Sequence, residues 1–342
     1  MMKAVFHLGI RQIAVVKINR PKPSPGMVLI KVGAVGICGT DLHGYRKDET
    51  KHDKPDGHEY SGIIVEVGDG VPLSRIGQHV TVDSFLNSSC GVCEFCVSGK
   101  HFHCINKDFP FRTGGFAEYV CVKDSATFNL PDLLDDALGA LVEPLAVGVH
   151  AVRQIGVKPG MIGVVVGAGS IGLLACIAAL DAGAERMFLV AKHDFQKKIA
   201  NSIGADVLPT DFDEAFRQVV QSKTHGVDFV IEAVGGSMQT IDLACQFCRP
   251  MGTVGIVGAF NPEFNGVKPF MPLIKELSFR FSNCYGYRDG IHDFEIAIDI
   301  LARKGNNIRK LITHEFLLEE AENAFKLADN KSSGAVKVII KS

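Results

Sequence analysis

Hydrophobic and polar residues alternate with period two through much of the chain before residue 145. The stretches GMVLIKVGAVG, YSGIIVEVGDG, HVTVDSF and GGFAEYVCVKD place apolar side chains at every second position and are separated by Gly and Pro. Such alternation is typical of strands that bury one face. The pattern therefore predicts that the first part of the chain is mostly β.

Residues 143–156 have helical spacing of the apolar residues Leu145, Val149, Val152 and Ile155. After this segment the hydrophobic pattern is no longer of period two. The runs MIGVVVG, RMFLVA, VDFVIEAVG and GTVGIVGAF are apolar throughout, and each is separated from the next by a stretch long enough for a helix. Strands buried on both faces and joined by helices predict a parallel sheet, hence an α/β domain.

The last part of the chain, from about residue 287, mixes both periods. A helix (DFEIAIDILARKG), a strand at 313–317, a helix (EEAENAFKLAD) and a strand (AVKVIIK) follow one another. We expect this tail to return to the first domain. A chain of 342 residues exceeds the usual size of one core, so two domains are expected.

Composition excludes several classes of protein. The formal net charge of -2 provides no basic excess for a nucleic-acid backbone, which favours a small-molecule partner. The chain contains no run of 18 uninterrupted apolar residues, so no membrane span is predicted. Residues 1–11 contain no apolar leader. We therefore expect a cytoplasmic protein with no membrane or nucleic-acid partner.

Four cysteines fall within the segment CGVCEFCVSGKHFHC, in a C-x2-C-x2-C-x7-C spacing. In a reducing compartment this spacing favours a tetrahedral thiolate site for a structural zinc ion over disulfides. An iron-sulfur cluster and four unrelated buried thiols are the alternatives. His101 and His103 are interpreted as loop residues, because the ligands of the set are Cys90, Cys93, Cys96 and Cys104.

A glycine motif follows the first apolar run of the second domain. The sequence VVVGAGSIG has the pattern G-x-G-x-x-G between a predicted strand and a predicted helix. In that context the motif predicts a dinucleotide site, and a glycine-rich turn that only packs a helix on a sheet is the alternative. The residues assigned to the cofactor here are Gly167, Gly169, Ser170, Ile171 and Gly172.

A second set of metal-ligand types lies in GICGTDLHGY and DGHEYSG. Cys38, His58 and Glu59 offer a thiolate, an imidazole and a carboxylate. Taken alone, a histidine after a glycine is more often a turn residue than a ligand.

Five motifs in this order resemble the zinc-dependent medium-chain alcohol and polyol dehydrogenases, in particular the sorbitol and threonine dehydrogenase branch. They are G-x-C-G-T-D, G-H-E, the four-cysteine segment, EPLAVGVHA and GAGSIG, and the match runs nearly end to end. The resemblance implies a GroES-like β-rich catalytic domain at 1–146 and 287–342. It implies a Rossmann domain, a doubly wound parallel sheet, at 147–286, and a homodimer or homotetramer.

The resemblance also assigns roles. It implies two zinc ions per chain, one structural and one catalytic, with Cys38, His58, Glu59 and Glu143 at the catalytic ion, the glutamates directly or through water. A zinc ion lowers the pKa of an alcohol so that hydride can pass to a nicotinamide cofactor. Thr40 resembles the first hydroxyl of a proton relay, and His43 either continues it or is a surface histidine.

Substrate choice is less defined by these motifs. Arg280 resembles an arginine near the second carboxylate of sorbitol-type enzymes, with a strand-end salt bridge as the alternative. Gly44 stands where those enzymes usually carry an aromatic residue, with Tyr45 one position later. Lys51, His52 or Lys54 could bind an anionic sugar, or form a solvated loop. We expect the secondary hydroxyl of a polyol, sugar or sugar derivative, with L-threonine or a simple secondary alcohol as the alternative.

Cofactor choice departs from the common pattern, in which an Asp ends the second Rossmann strand and binds the adenine ribose. That position is Ala191, and Asp194 is expected to cap the following helix. Lys192 and His193 could then contact a 2'-phosphate, which predicts a preference for NADP(H) over NAD(H). A solvated Lys192 with Asp194 reaching the ribose is the alternative. Further residues expected in the cofactor site are Ala233, Val234, Gly258 and Asn283.

A non-enzyme function is the remaining class, a zinc-stabilised nucleotide-binding module without turnover. Relatives in the fold that lack zinc chemistry also lack the Cys38, His58 and four-cysteine sets. Their presence here favours an enzyme.

Overall fold

The computed structural model describes residues 1–47, 55–107, 114–222, 225–236, 238–260 and 269–342. The chain divides into two compact units. The first unit is Met1–Glu143 together with Gly286–Ser342, and the second is Pro144–Tyr285.

Seventeen strands are described, numbered in chain order. They are β1 Met2–Gly9, β2 Gln12–Ile18, β3 Met27–Gly36, β4 Glu59–Val67, β5 His79–Val82, β6 Tyr119–Lys123, β7 Thr127–Asn129, β8 Ile162–Val166, β9 Arg186–Val190, β10 Asp206–Leu208, β11 Val227–Glu232, β12 Cys248–Ile256, β13 Ser278–Phe281, β14 Tyr287–Arg288, β15 Ile291–His292, β16 Ile312–Leu317 and β17 Lys337–Lys341.

Twelve α-helices are described. They are α1 Gly39–Arg46, α2 Ser84–Ser88, α3 Glu94–Val97, α4 Asp136–Gly139, α5 Val142–Ile155, α6 Ser170–Asp181, α7 Asp194–Ser202, α8 Phe212–Ser222, α9 Met238–Phe247, α10 Phe270–Ile274, α11 Asp293–Ile308 and α12 Ala321–Asp329. None of those in the described part of the chain combines the length and apolar character that crossing a membrane requires.

The first unit is built on a mostly antiparallel sheet of order β16-β17-β3-β4-β5-β7, with β6 also pairing with β3 and with β1 and β2 forming a separate hairpin. Alternate side chains of β3, among them Val28, Ile30 and Val32, enter one core cluster with Phe325 of α12 and Ile340 of β17. The tail therefore completes the sheet and core of the first unit, because β17 pairs with β3 in antiparallel register.

The second unit contains a six-stranded sheet of order β10-β9-β8-β11-β12-β13, with every neighbouring pair parallel. This is the strand order of a doubly wound dinucleotide-binding fold, in which the chain reverses direction across the sheet between β8 and β11. The predicted combination of a β-rich first domain and a doubly wound parallel sheet in the second is confirmed.

The division between the units differs slightly from the expected boundaries. It falls after Glu143, three residues before 146, and the chain returns at Gly286, one residue before 287. The first division lies inside α5, whose opening residues belong to the first unit and whose remaining turns belong to the second. A helix that continues through a boundary carries no sequence signal for it.

Candidate metal centres and cofactor site

The four cysteines converge on one point of the first unit. Cys90 and Cys93 flank a short turn, Cys93 precedes α3, Cys96 lies within α3, and Cys104 follows a 3-10 turn. All four Sγ atoms lie within 4.8 Å of one another. The separations are 3.5 Å from Cys93 to Cys96 and 3.9 Å for both Cys90 to Cys96 and Cys93 to Cys104.

These distances fit a tetrahedral metal site. Four sulfurs placed about 2.3 Å from a central zinc ion are about 3.8 Å from one another, whereas a disulfide brings two sulfurs to about 2.05 Å. Backbone N–H groups of Val92 and Cys93 lower the pKa of Cys90 to about 6, and the N–H of Cys96 lowers that of Cys93. Burial and the neighbouring thiols raise the pKa of Cys96 to about 11. A divalent cation bound between the four sulfurs would offset the repulsion between neighbouring thiolates.

The two histidines of this segment lie outside the cysteine group. His101 is buried against the ring of Tyr287 at 5.9 Å, and His103 contacts the ring of Phe95 at the same centroid distance. The interpretation of both as residues of the loop agrees with their place in the 3-10 turn.

The second metal-type group combines residues from two motifs. Ligand atoms of Cys38, His58 and Glu59 all lie within 4.8 Å of one another. The end of β3 and the start of β4 are register partners, Gly36 opposite Glu59, so the segments that follow and precede these strands meet. Gly57 has a φ of +93° and its backbone packs against Phe116, where a Cβ would be 2.8 Å from the backbone nitrogen. This explains the glycine of G-H-E.

Asp41 supports the first two ligands and was not assigned a role from the sequence. Its carboxylate accepts a hydrogen bond from the Cys38 backbone N–H at 2.7 Å and lies 3.8 Å from His58 Nδ1. Burial raises the pKa of Asp41 to about 6, although His58 opposes the rise. Burial lowers the pKa of His58, but Cys38 and Asp41 raise it more, so it lies well above its usual value.

Lys337 supports the third ligand and was also missed. Its Nζ lies 2.5 Å from Glu59 Oε2 and donates to the Ile37 carbonyl at 3.2 Å. Both side chains of the pair are fully enclosed, with exposures of 2% and 1%. Burial lowers the pKa of Lys337, but Glu59 raises it above its usual value. A lysine at an inward position of the apolar strand AVKVIIK was the available signal.

The donor set fits a divalent cation. Glu59 Oε1 is buried and has no hydrogen-bond partner among the described residues, so the ion pair with Lys337 leaves one oxygen for another ligand. A buried carboxylate oxygen without a partner costs free energy unless something occupies that side. The thiol of Cys38 and the imidazole of His58 are ligand types that zinc prefers.

Glu143 lies near this group without belonging to it. It is 6% exposed at the start of α5, but its oxygens are not within the 4.8 Å group of Cys38, His58 and Glu59. Burial raises the pKa of Glu143 to about 8, with His58 opposing and Glu59 adding to the rise. Its assignment as a zinc ligand, direct or through water, stays a prediction.

The expected relay and substrate residues occupy exposed positions. Thr40 is in the first turn of α1 and His43 in its last turn, both exposed in the first unit. Arg280 is exposed on β13 of the second unit and forms no ion pair with a described residue, so the expected alternative of a strand-end salt bridge has no support among these residues. Lys51, His52 and Lys54 lie outside the described residues.

The glycine motif forms the turn from β8 into α6. Gly167 has a φ of +107°, Gly169 precedes the first turn of α6, and a Cβ on Gly172 would lie 1.9 Å from the Gly167 carbonyl oxygen. A Cβ on Gly169 would meet nothing within 4 Å among the described residues. The turn is thus closed toward the protein and open at the helix N-terminus, where a pyrophosphate is favoured. Ser170 and Ile171 form the first turn of α6.

The end of the second strand carries no acid. Ala191 follows β9 and is buried, Lys192 is exposed, and His193 is the N-cap position of α7. The expectation that Asp194 caps this helix is wrong. Asp194 is instead the first residue of α7, and its carboxylate pairs with Lys197 at 2.9 Å. The backbone N–H of His193 bonds to Gln196 at 3.2 Å, which places the cap one residue earlier.

The other expected cofactor residues lie at the carboxyl ends of the sheet or just beyond them. Ala233 and Val234 follow β11, Gly258 lies beyond the end of β12, and Asn283 lies beyond the end of β13. Val234 and Asn283 are exposed. In a doubly wound sheet, ligands bind outside this edge.

Known proteins match both units. A profile of the alcohol dehydrogenase GroES-like domain matches residues 24–132, and one of the zinc-binding dehydrogenases matches residues 170–303. The sorbitol dehydrogenase of Halalkalibacterium halodurans is 33% identical over 94% of both chains. The L-threonine 3-dehydrogenase of Pyrococcus abyssi is 32% identical over 95% of this chain and 94% of its own.

A solved structure agrees with these matches. The 2R,3R-butanediol dehydrogenase of Bacillus subtilis superposes with a TM-score of 0.87 and 30% identity, covering 100% of each chain. Fold, metal-ligand groups and relatives together define a zinc-binding dehydrogenase. The chain belongs to the zinc-dependent medium-chain alcohol and polyol dehydrogenase family. It is an oxidoreductase acting on alcohols or polyols.

Proposed function

We propose that this protein interconverts a secondary hydroxyl and a carbonyl on a polyol, sugar or sugar derivative, with NADP(H) as the preferred cofactor. The observation that carries the proposal is the group of Cys38, His58 and Glu59, in which one buried oxygen of Glu59 has no partner among the described residues. Such a group can hold a catalytic zinc ion while the four-cysteine lobe holds a structural one.

Residues of the first unit are proposed to bind the metal, to support its ligands and to transfer the proton. A zinc ion held there would lower the pKa of an alcohol and polarise a carbonyl. Cys38 and His58 would bind the ion, and Asp41 and Lys337 hold the ligands in place through the contacts described above. Glu59 adds negative charge beside the site, and a zinc ion bound there would favour the ionised form of Glu143 as well. Thr40, exposed in the first turn of α1, is proposed to take the hydroxyl proton, with His43 passing it to water.

The substrate class is supported by the relatives and by Glu143. The matched proteins include a sorbitol dehydrogenase and a butanediol dehydrogenase, whose named substrates carry neighbouring hydroxyls. Glu143, a buried carboxylate near the group, could accept a hydrogen bond from the second hydroxyl of such a substrate. L-Threonine is the second candidate because of the 32% identity to the L-threonine 3-dehydrogenase.

The preference for NADP(H) is supported by the end of β9. Ala191 offers no carboxylate that would repel a 2'-phosphate, and Lys192 is exposed beside it. The only acid nearby in the sequence, Asp194, is paired with Lys197. A cationic side chain and a missing acid favour the phosphorylated cofactor.

An oligomer is proposed from the second unit. Among the described strands, β13 pairs only with β12 and leaves its other edge unpaired. Phe281 on this strand is 77% exposed and Phe270 of the nearby α10 is 66% exposed. An unpaired edge with apolar side chains favours pairing with a second copy. Sedimentation of the purified protein should give a homodimer or homotetramer, and a monomer at micromolar concentration would contradict this.

One experiment tests the proposed function. Polyols, sugars, sugar acids, sugar phosphates, simple secondary alcohols and L-threonine are each assayed with NADP and with NAD, by absorbance of the reduced nicotinamide. Metal-dependent turnover of a polyol or sugar, with a higher kcat/KM for NADP than for NAD, is expected. Turnover of L-threonine alone would select the second candidate. Cofactor binding without turnover of any substrate would favour a zinc-stabilised binding module.

A further inference from the structure

Glu232 is a buried carboxylate to which the sequence assigned no role. It is the last residue of β11 and has no exposed surface. Its Oε1 accepts hydrogen bonds from the backbone N–H groups of Val234 and Gly235, both at 2.9 Å. A carboxylate with two backbone donors fixes the conformation of the turn that supplies them.

The main chain of Glu232 holds a second turn. Its carbonyl oxygen accepts from the N–H of Val257 at 2.9 Å and from that of Gly258 at 3.1 Å. The two turns are also joined directly, because the Gly236 N–H bonds to the Ala259 carbonyl at 2.9 Å. Glu232 therefore connects the turn at 233–236 to the turn at 257–259.

The fit between these turns is close. A Cβ on Gly258 would lie 2.4 Å from Glu232 Oε2 and 2.3 Å from the Gly235 nitrogen. Oε2 itself is buried and finds no hydrogen-bond partner within the described ranges. An unsatisfied carboxylate oxygen destabilises the fold, so its presence needs a compensating reason elsewhere.

The joined turns lie beside the glycine motif. Val166, Glu232 and Ile256 are lateral neighbours at the carboxyl ends of β8, β11 and β12. The Ala233 N–H bonds to the Val166 carbonyl at 2.9 Å, and a Cβ on Gly167 would lie 2.5 Å from Val234 Cγ2. The position of the 233–236 turn therefore determines the space next to the cofactor-binding turn.

We propose that Glu232 is a positioning residue of the cofactor site, holding the turns at 233–236 and 257–259 as one rigid surface against which the nicotinamide cofactor binds. The inference rests on the proposed cofactor function. It assigns to Glu232 an effect on cofactor affinity that passes through backbone groups, with no direct contact required. Preordered turns lower the entropy that is lost on binding.

Asp228 offers a matched control on the same strand. Its carboxylate also joins neighbouring strands, accepting from the Ile162 N–H and from Arg249 Nε, both at 2.9 Å. It lies at the opposite end of β11, away from the glycine motif. Loss of either carboxylate should lower stability, but only loss of Glu232 should alter cofactor binding.

The test measures dissociation constants of NADPH and NADH by calorimetry for the wild-type protein and for Glu232→Ala, Glu232→Gln and Asp228→Ala. For Glu232→Ala we expect the dissociation constants to rise by about tenfold or more. Glu232→Gln should restore most of the affinity, because the amide oxygen can accept both N–H bonds. Asp228→Ala should bind within about twofold of the wild type, a difference too small to indicate a lost hydrogen bond.

Activity adds a second readout. At saturating cofactor the kcat of Glu232→Ala should change less than its KM for the cofactor. If Glu232→Ala does not fold, Glu232→Asp replaces it, because the shorter side chain cannot reach both N–H groups. Wild-type affinity in the Ala or Asp variant, or equal weakening in Asp228→Ala, would overturn the inference. A wild-type protein that binds neither cofactor would overturn the proposed function instead.

Discussion

The buried pair of Lys337 and Glu59 allows a quantitative test of the catalytic metal site. The substitution Lys337→Met keeps the volume of the side chain but removes the ammonium group that lies 2.5 Å from Glu59. It also removes the hydrogen bond to the Ile37 carbonyl. Since both partners are almost fully enclosed, the Glu59 carboxylate cannot turn to solvent when the lysine is lost.

The expected cost depends on whether another cation is present. Removing one member of a buried ion pair costs about 3–5 kcal/mol of unfolding free energy, because the remaining charge is left uncompensated. If a zinc ion lies beside the unpartnered Oε1 of Glu59, that ion compensates the carboxylate in the variant. The cost of Lys337→Met should then fall to about half or less of this value in zinc-loaded protein.

The assay is urea unfolding of Lys337→Met in two backgrounds, both with the four-cysteine site loaded. The wild-type background is expected to hold the catalytic zinc ion, and Cys38→Ser is expected to lose it. We expect the larger loss of stability in the Cys38→Ser background. Equal losses in both backgrounds would refute the reasoning that Glu59 faces the metal, and a loss below about 1 kcal/mol in both would refute the importance of the ion pair.

Three further predictions concern the two metal sites and the cofactor site. Elemental analysis should find two zinc ions per chain, with Cys38→Ser losing turnover while keeping its fold and Cys93→Ser losing stability first; one zinc ion or none in active protein would contradict this. Burial raises the pKa of Glu143 from 4.5 to about 8 in the metal-free protein, so ionising it between these values lowers stability as the pH rises. Glu143→Gln should therefore flatten the fall in unfolding free energy of metal-free protein between about pH 5 and 8, and an unchanged slope would count against the burial effect. Ala191→Asp should lower the ratio of kcat/KM for NADP to that for NAD. An unchanged ratio would mean that position 191 does not contribute to recognition of the 2'-phosphate.

Much of the architecture was predictable because local patterns and tertiary structure agree. Period-two alternation defines strands such as β3 and β4, and apolar runs define β8 and β11, since burial of one or both faces imposes these patterns. The dense cysteine spacing and the glycine motif are equally local. The four cysteines lie within fifteen residues, so their spacing alone indicates that their sulfurs can meet.

Other features needed the three-dimensional arrangement. Lys337 is 278 residues from its partner Glu59, and no local pattern indicates that strand β17 places one beside the other. The sequence predicted Asp194 as the N-cap of α7, but the structure has His193 at that position. Two neighbouring polar residues can each cap the helix, and the hydrogen bonds of its first turn select between them.

The sequence by itself determined the fold class, the four-cysteine spacing and the glycine motif, because each depends on residues close together in the chain or on the periodicity of one element. The set of Cys38, His58 and Glu59 was indicated by the resemblance to a family, and its role as ligands of a catalytic zinc ion stays a prediction. Only the tertiary structure decided which charged groups support those ligands. Asp41 and Lys337 contact those ligands, and Glu232 accepts hydrogen bonds from the turn beside the glycine motif. The free energy of these buried contacts depends on the exclusion of water, and that exclusion exists only once distant strands have packed together.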